Sequence, residues 1–150
     1  MNIKERMKEL NIVLPAAPQK GGVYSPVKRF GEKLLYVSGC GPKIDEPVEG
    51  KLGQEFTVEE GKVFSRNSML NVLAAVDENV GLENVKCPVK LLTFVAGTAD
   101  FYDQPAVANG GSELLVQLFG EDSAPSRSAI GCSSLPGNIP VETEAVFELL

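Results

Sequence analysis

One arginine and two glutamates near the C-terminus, Arg127, Glu142 and Glu144, are the residues of this 150-residue chain whose types and spacing could do chemistry. They lie in two runs, Pro125-Ser126-Arg127-Ser128-Ala129-Ile130-Gly131 and Val141-Glu142-Thr143-Glu144, with Leu135-Pro136 between them. Read as a hairpin with its tip near Leu135 and Pro136, antiparallel pairing predicts Arg127 opposite or nearly opposite Glu142 or Glu144, which share a face. An arginine held by a neighbouring glutamate presents a flat, permanently charged fork that can grip the carboxylate of a small ligand through two parallel hydrogen bonds. Spacing alone leaves a structural ion pair on a sheet equally open.

Composition narrows the chemistry further. The chain has no histidine, so Ser-His-Asp hydrolysis, Cys-His proteolysis and ordinary zinc catalysis are unavailable within it. General acid-base work must run on Arg, Glu, Tyr, Cys, backbone groups or water. Fourteen basic against 20 acidic residues give a net charge of -6, a sign that repels phosphate backbones and argues against general nucleic-acid binding. Cys40, Cys87 and Cys132 are an odd number at wide spacing, which fits neither a disulfide framework nor a zinc site. Cys40 has no histidine to activate it as a nucleophile. No apolar run approaches the roughly 20 residues a membrane helix needs, and the charged Lys4-Glu5-Arg6 start lacks a signal-peptide core. A cytoplasmic protein with reduced thiols is the expectation.

The elements that must position these residues follow from periodicity and punctuation. A chain of this length with 43% apolar residues can bury a core without staples, as one domain over 1–150. Ile3, Met7 and Leu10 are at helical spacing, which predicts a short amphipathic helix in an N-terminal extension over 1–14. Val23–Arg29 and Lys33–Ser38 read as a hairpin turned at Gly31-Glu32, with Pro26 marking an edge or bulge. Gly39–Gly53 reads as a long loop in which Gly39-Cys40-Gly41-Pro42 allows close backbone approach to a ligand. Thr57 and Glu60 form a capping box ahead of an apolar stripe reaching Gly81. Cys87–Val95 reads as a buried strand, and a second helix follows, with Asp103 as its cap and Pro105 in its first turn. Gly110-Gly111 inside that helix predicts close packing or a late helix start. With strands over 127–133 and 140–149 the order is β-β-α-β-α-β-β, an α+β sandwich with two helices on one face of a mixed sheet. In the last strand Val141, Thr143, Ala145, Phe147 and Leu149 share one face, and Glu142, Glu144 and Glu148 the other.

Arg-Ser-x-aliphatic, the Leu-Pro turn and Val-Glu-x-Glu resemble the C-terminal signature of the RidA/YjgF family of enamine/imine deaminases, also called the endoribonuclease L-PSP family. Tyr24 after a Gly-rich turn, Leu35-Tyr36-Val37-Ser38-Gly39 followed by Gly41-Pro42, and Asn109 ahead of Arg127 agree in order along the chain. The resemblance covers nearly all of 15–150 and is nearest to a branch with an N-terminal extension and an Arg-Ser-Ala motif. It implies a chorismate-mutase-like fold, a homotrimer with ligand clefts between subunits, and no cofactor. It also implies that Arg127 binds a substrate carboxylate and that Glu142 orients Arg127 or assists a water, with Glu144 as the alternative. Tyr24, Gly39, the backbone carbonyl of Ala129, and Asn109 would line the cleft. Cys40 stands where many members have glutamine, Ala129 where deaminases commonly have cysteine, Thr143 where an aliphatic residue is usual, and the 120–124 loop is one residue longer. Three functions remain open on this reading: hydrolysis of reactive 2-enamine or 2-imine acids to 2-keto acids and ammonia, keto-acid binding without turnover, and endoribonuclease activity, which the charge and the missing histidine disfavour.

Overall fold

The computed structural model describes residues 2–150. Helix α1 (Ile3–Glu9) is capped by Asn2, whose side chain accepts from Glu5 N–H while the Glu5 carboxylate reaches back to the Asn2 N–H. Ile3, Met7 and Leu10 pack against the rim of the core. Arg6 Nε donates to the Gln117 carbonyl at 3.0 Å, so the helix is tied to the body by a polar contact as well.

Strands β1 (Val27–Phe30) and β2 (Leu34–Cys40) form the expected hairpin, with Gly31 at φ +65 in its turn. β1 begins four residues later than the sequence suggests. Pro26 lacks an N–H for the ladder, and the chain before it runs outside the sheet. Helix α2 (Val58–Val80) starts at the Thr57/Glu60 capping box, with both reciprocal bonds made. Strand β3 (Val85–Ala96) follows, then helix α3 (Gln104–Phe119), where Pro105 occupies the first turn. Asp103 takes the N-cap position without making a side-chain cap bond. Strands β4 (Ser126–Cys132) and β5 (Val141–Leu149) complete one five-stranded mixed sheet.

The sheet order is β1-β2-β5-β3-β4, which overturns the hairpin reading of the last two strands. β4 runs parallel to β3, with Arg127 beside Leu91, while β5 is antiparallel to β3 on its other side, with Ala145 beside Leu91. β3 therefore separates Arg127 from both glutamates. The cause is the β3-α3-β4 crossover. A helix between two strands returns the second one parallel to the first, and the final strand then fills the slot between β3 and β2.

Alternation in β5 is as expected: Val141, Thr143, Ala145, Phe147 and Leu149 are buried. Ala145, Phe147 and Leu149 share a core with Met69, Val72 and Val76 of α2 and Leu114 and Leu115 of α3, while Val141 packs in a second cluster with Leu52, Val95 and Val107. Among the described residues the other face of the sheet carries no α-helix. It exposes Phe30, Tyr36 and Ile130 along with Glu144.

The two long helices cross on glycine. A Cβ at Gly110 would collide with the Lys62 carbonyl oxygen, a backbone atom that cannot step aside, and one at Gly61 would lie 2.6 Å from Leu52 Cδ1. Gly111 N–H donates to Ser65 Oγ at 3.1 Å across the same crossing. Of the two sequence explanations for Gly110-Gly111, close packing holds, since α3 runs unbroken through both. Gly110→Ala is accordingly expected to lower stability by about 1–3 kcal/mol despite alanine's better helix propensity, because overpacking against fixed backbone outweighs roughly 1 kcal/mol of propensity. Urea unfolding with an unchanged m-value checks it.

Candidate functional site

The predicted site residues fall into two groups within one chain. The first lies on the helix-free face. Tyr24, Gly39, Glu142 and Glu144, with Phe94 and Pro136, line a cavity of about 480 Å³. A register shift between Val37 and Cys40 in the β2–β5 ladder is what brings Gly39 here: the bulge turns Cys40 inward beside Thr143 and leaves Gly39 against the Glu142 side chain. A Cβ at Gly39 would lie 3.0 Å from Glu142 Cδ and 3.2 Å from its Oε1, so only glycine leaves the carboxylate its present position without displacement.

The surrounding loops are pinned by hydrogen bonds. Ser38 Oγ donates to the Ser25 carbonyl at 2.6 Å and Ser38 N–H to the Pro26 carbonyl at 2.9 Å, which holds the Tyr24 segment against β2. The Tyr24 hydroxyl accepts from Gly21 N–H at 2.8 Å, folding the Gly21-Gly22 turn toward the ring. From α2, Asn71 Nδ2 donates to the carbonyls of Gly41 and Lys43 at 2.9 and 2.8 Å, fixing the loop that leaves Gly39 and Cys40.

Electrostatics in this group favour neutral forms. Burial, with a smaller contribution from the Glu144 carboxylate, raises the Glu142 pKa above the ordinary carboxylate value. Burial, then the Glu142 carboxylate, pushes the Cys40 thiol up to about 12. Cys40 is thus a neutral, buried thiol that cannot serve as a nucleophile at ordinary pH, in keeping with the sequence reading.

The second group lies across the sheet. Arg127 Nη1 donates to Asn109 Oδ1 at 2.8 Å and to Ser112 Oγ at 3.1 Å. Asn109 and Ser112 are three residues apart on α3, one helix face presenting two neutral acceptors to one nitrogen. Among the described residues Arg127 has no carboxylate partner and its Nε and Nη2 donate to no protein group, so the fork is held in place while most of its donors and its charge remain uncommitted. Ala129 sits two residues further along β4, on the same face as Arg127 and half-buried. Only one side of β4 is paired, which leaves the outer backbone groups of this edge strand unpaired within the sheet.

Glu142 therefore does not orient Arg127 within one copy. Two strand spacings of about 4.8 Å separate β4 from β5, the side chains point to opposite faces, and the registers differ by three residues. Sequence reasoning missed Ser112, Asn71 and Phe94, and named Ser38 only as part of the Leu35–Gly39 motif. Ser112 carried a usable signal in its i, i+3 relation to Asn109; Asn71 and Phe94 are brought to the site by the tertiary fold, with no local signature.

Similarity to known proteins agrees with this architecture. The family model for endoribonuclease L-PSP matches residues 14–148. Protein TCP17 of Trypanosoma cruzi is 36% identical over 98% of this chain and 94% of its own length. The solved structure of Atu1372 from Agrobacterium tumefaciens is 36% identical, with a TM-score of 0.86 over 99% of this chain and 92% of that one. A Shewanella oneidensis structure is 26% identical with a TM-score of 0.93, covering 99% of this chain and 100% of that one. Both structural matches include the N-terminal segment that carries α1. With the family model spanning nearly the whole sequence and a 36% identical relative matching end to end, the chain belongs to the endoribonuclease L-PSP family, the family of RidA and YjgF.

Proposed function

We propose that the protein hydrolyses reactive 2-enamine or 2-imine acids to 2-keto acids and ammonia, in a site completed by two copies of the chain. The observation that carries this reading is the division of the site: a preorganised cation without an anion, and a proton-hungry carboxylate without a cation, on opposite faces of one subunit. A ligand of a few atoms cannot span them, whereas a neighbouring copy docked on β4 and the helix-free face could bring Glu142 toward Arg127. The exposed Phe30, Tyr36 and Ile130 and the unpaired edge of β4 give such a neighbour something to cover.

In the iminium form of the substrate C2 is already electrophilic, so the chemistry asked of the protein is modest. Arg127 Nε and Nη2 take the C1 carboxylate in a fork, which fixes the position of C2. The Glu142 carboxylate accepts a proton from a water as the water oxygen bonds to C2, giving a carbinolamine. Protonated Glu142 then returns the proton to the amino nitrogen. The Glu142 carboxylate accepts the hydroxyl proton as that oxygen forms the carbonyl and the C–N bond breaks; the departing ammonia takes that proton and leaves as ammonium with the keto acid, with one water consumed and Glu142 again a carboxylate. An enamine enters the same route after C3 takes a proton, which Glu142 in its acid form can give. A carboxyl whose pKa lies above the ordinary range suits this alternation. In this reading the backbone carbonyl of Ala129, two residues along β4 from Arg127, orients the water. No step uses a metal or organic cofactor.

The direct test generates 2-aminoacrylate and 2-aminocrotonate in situ with a dehydratase and follows keto-acid appearance with and without the protein. Acceleration supports the enzyme; tight keto-acid binding with no acceleration of any amino-acid-derived imine would leave a binding protein instead. Ribonuclease action by rigorously purified protein is expected to be absent, given the net charge and the missing histidine.

Two further outcomes follow. Light scattering is expected to give a mass three times 16.0 kDa, the symmetric ring that a heterologous contact closes. A stable monomer at micromolar concentration contradicts the shared site. Gly39→Ala is expected to displace the Glu142 carboxylate and lower kcat by roughly tenfold or more while the melting temperature moves little, since misplacement at the ångström scale is enough to lose that much. An unchanged kcat would remove Gly39 from the site.

A further inference from the structure

A second chamber of about 230 Å³ adjoins the carboxylate cavity and shares Gly21, Tyr24, Ser38 and Gly39 with it. Tyr24 borders both spaces, its hydroxyl held by Gly21 N–H at 2.8 Å. The chamber is floored by Cys40 and by Ala75 of α2, both buried, and walled by Pro18 and Pro26. Its remaining polar side chains besides Ser38 and Tyr24 are Gln19 and Lys20, which are exposed and therefore at the rim. Two features keep it open. Gly39 places no side chain at the passage between the two spaces, and α2 presents an alanine where the chamber meets the helix.

We propose that this chamber receives the side chain of the substrate, and that the protein selects 2-imino or 2-enamine acids with apolar side chains of leucine or methionine size. The inference rests on the reaction proposed above and names its substrate class. With C2 beside Glu142, the space this chain itself offers a side chain leaving C2 is the chamber past Gly39. Entry there removes apolar surface from water against Cys40, Ala75 and the two prolines, a gain that grows with each methylene. A charged side chain gains nothing on an uncharged floor. The neutral state of the Cys40 thiol fits that role, as its pKa of about 12 leaves no charge at the base of the chamber.

The test generates imines from alanine, leucine, methionine, phenylalanine and aspartate with a broad-specificity amino-acid oxidase and measures kcat/KM for each with wild type, Ala75→Leu and Cys40→Ala. Wild type is expected to favour the leucine- and methionine-derived imines. Ala75→Leu, which fills the chamber, should lower the leucine-to-alanine ratio roughly tenfold or more, the discrimination a few methylenes provide. Cys40→Ala, which deepens it, should move the preference toward a phenylalanine-derived imine and keeps the test decisive if Ala75→Leu does not fold. In parallel, calorimetric titration with pyruvate and 4-methyl-2-oxopentanoate reads the chamber without turnover. If no imine is hydrolysed but the larger keto acid binds more tightly and Ala75→Leu or Cys40→Ala alters that ranking, the chamber stands and the reaction falls. If imines are hydrolysed and neither substitution alters the ranking, or the aspartate-derived imine is preferred, the chamber assignment is overturned while the reaction stands.

Discussion

Glu142→Gln is expected to lower kcat for imine hydrolysis by about 10²- to 10⁴-fold, the range for removing a positioned acid-base group, with a small change in KM. Glutamine keeps the size and hydrogen bonding of the side chain but can neither take the water's proton nor return it. The wild-type rate should rise with pH along an acid limb above the ordinary carboxylate range, because burial and the Glu144 carboxylate raise the Glu142 pKa and the basic form performs the first step. Glu144→Gln removes the smaller of the two causes and should move that limb downward.

The same shift has a consequence for stability, and its sign is opposite to that of a salt-bridged carboxylate. A group whose folded-state pKa lies above its unfolded value binds more protons in the native state, so stability falls as pH rises from about 4.5 through the raised value. Below that window the carboxyl is neutral in both states and no penalty exists. Glu142→Gln should therefore melt at a higher temperature than wild type at pH 7, with the difference closing toward pH 4. A variant that is slower and more stable at neutral pH is the signature of a carboxylate placed for chemistry at some cost to the fold. Loss of activity accompanied by loss of stability would make Glu142 structural.

Arg127→Met is expected to weaken 2-keto-acid binding by about 2–5 kcal/mol, since it removes the charge opposite a desolvated carboxylate. Arg127→Lys should recover part of this, remaining about 1.5–3 kcal/mol weaker than wild type, because an ammonium restores charge without the two-pronged geometry. Neither variant should unfold. Asn109 Oδ1 and Ser112 Oγ, the groups that hold Nη1, are only half-buried and can turn to water. Calorimetric titration with pyruvate or 2-oxobutyrate decides between these outcomes. An Arg127→Met protein that binds as tightly as wild type would reduce the arginine to a sheet-helix tie.

Much of the fold was legible because it is written locally. The Thr57/Glu60 box starts α2 where two reciprocal bonds can form, and the alternation Val141, Thr143, Ala145 assigns the buried face of β5 without reference to its neighbours. The family signature carried the site residues, but it carried them as a list rather than as an arrangement. Pairing of β4 with β5 was misread because alternation is equally satisfied by a hairpin and by insertion of β3 between the two, and the choice is made by the handedness of the β3-α3-β4 crossover, a property of the whole stretch from Val85 to Cys132. That misreading matters most for Arg127. In the hairpin its partner was a glutamate on the next strand; in the fold its partners are Asn109 and Ser112 on α3, and the glutamates lie beyond β3 on the other face. Gly110 was ambiguous for the same kind of reason, since the Lys62 carbonyl it accommodates is 48 positions away.

The claim that Arg127 and Glu142 act together from different copies is tested most directly by mixing two inactive proteins. Arg127→Met and Glu142→Gln chains, co-expressed with distinct tags and purified as mixed assemblies, each supply the residue the other lacks. If the site is shared between neighbours, roughly one site in four of a random mixture combines an intact arginine with an intact glutamate, and imine hydrolysis should return to a matching fraction of the wild-type rate. Mixed assemblies that stay as inactive as either parent would contradict the shared site and return both residues to separate, structural roles.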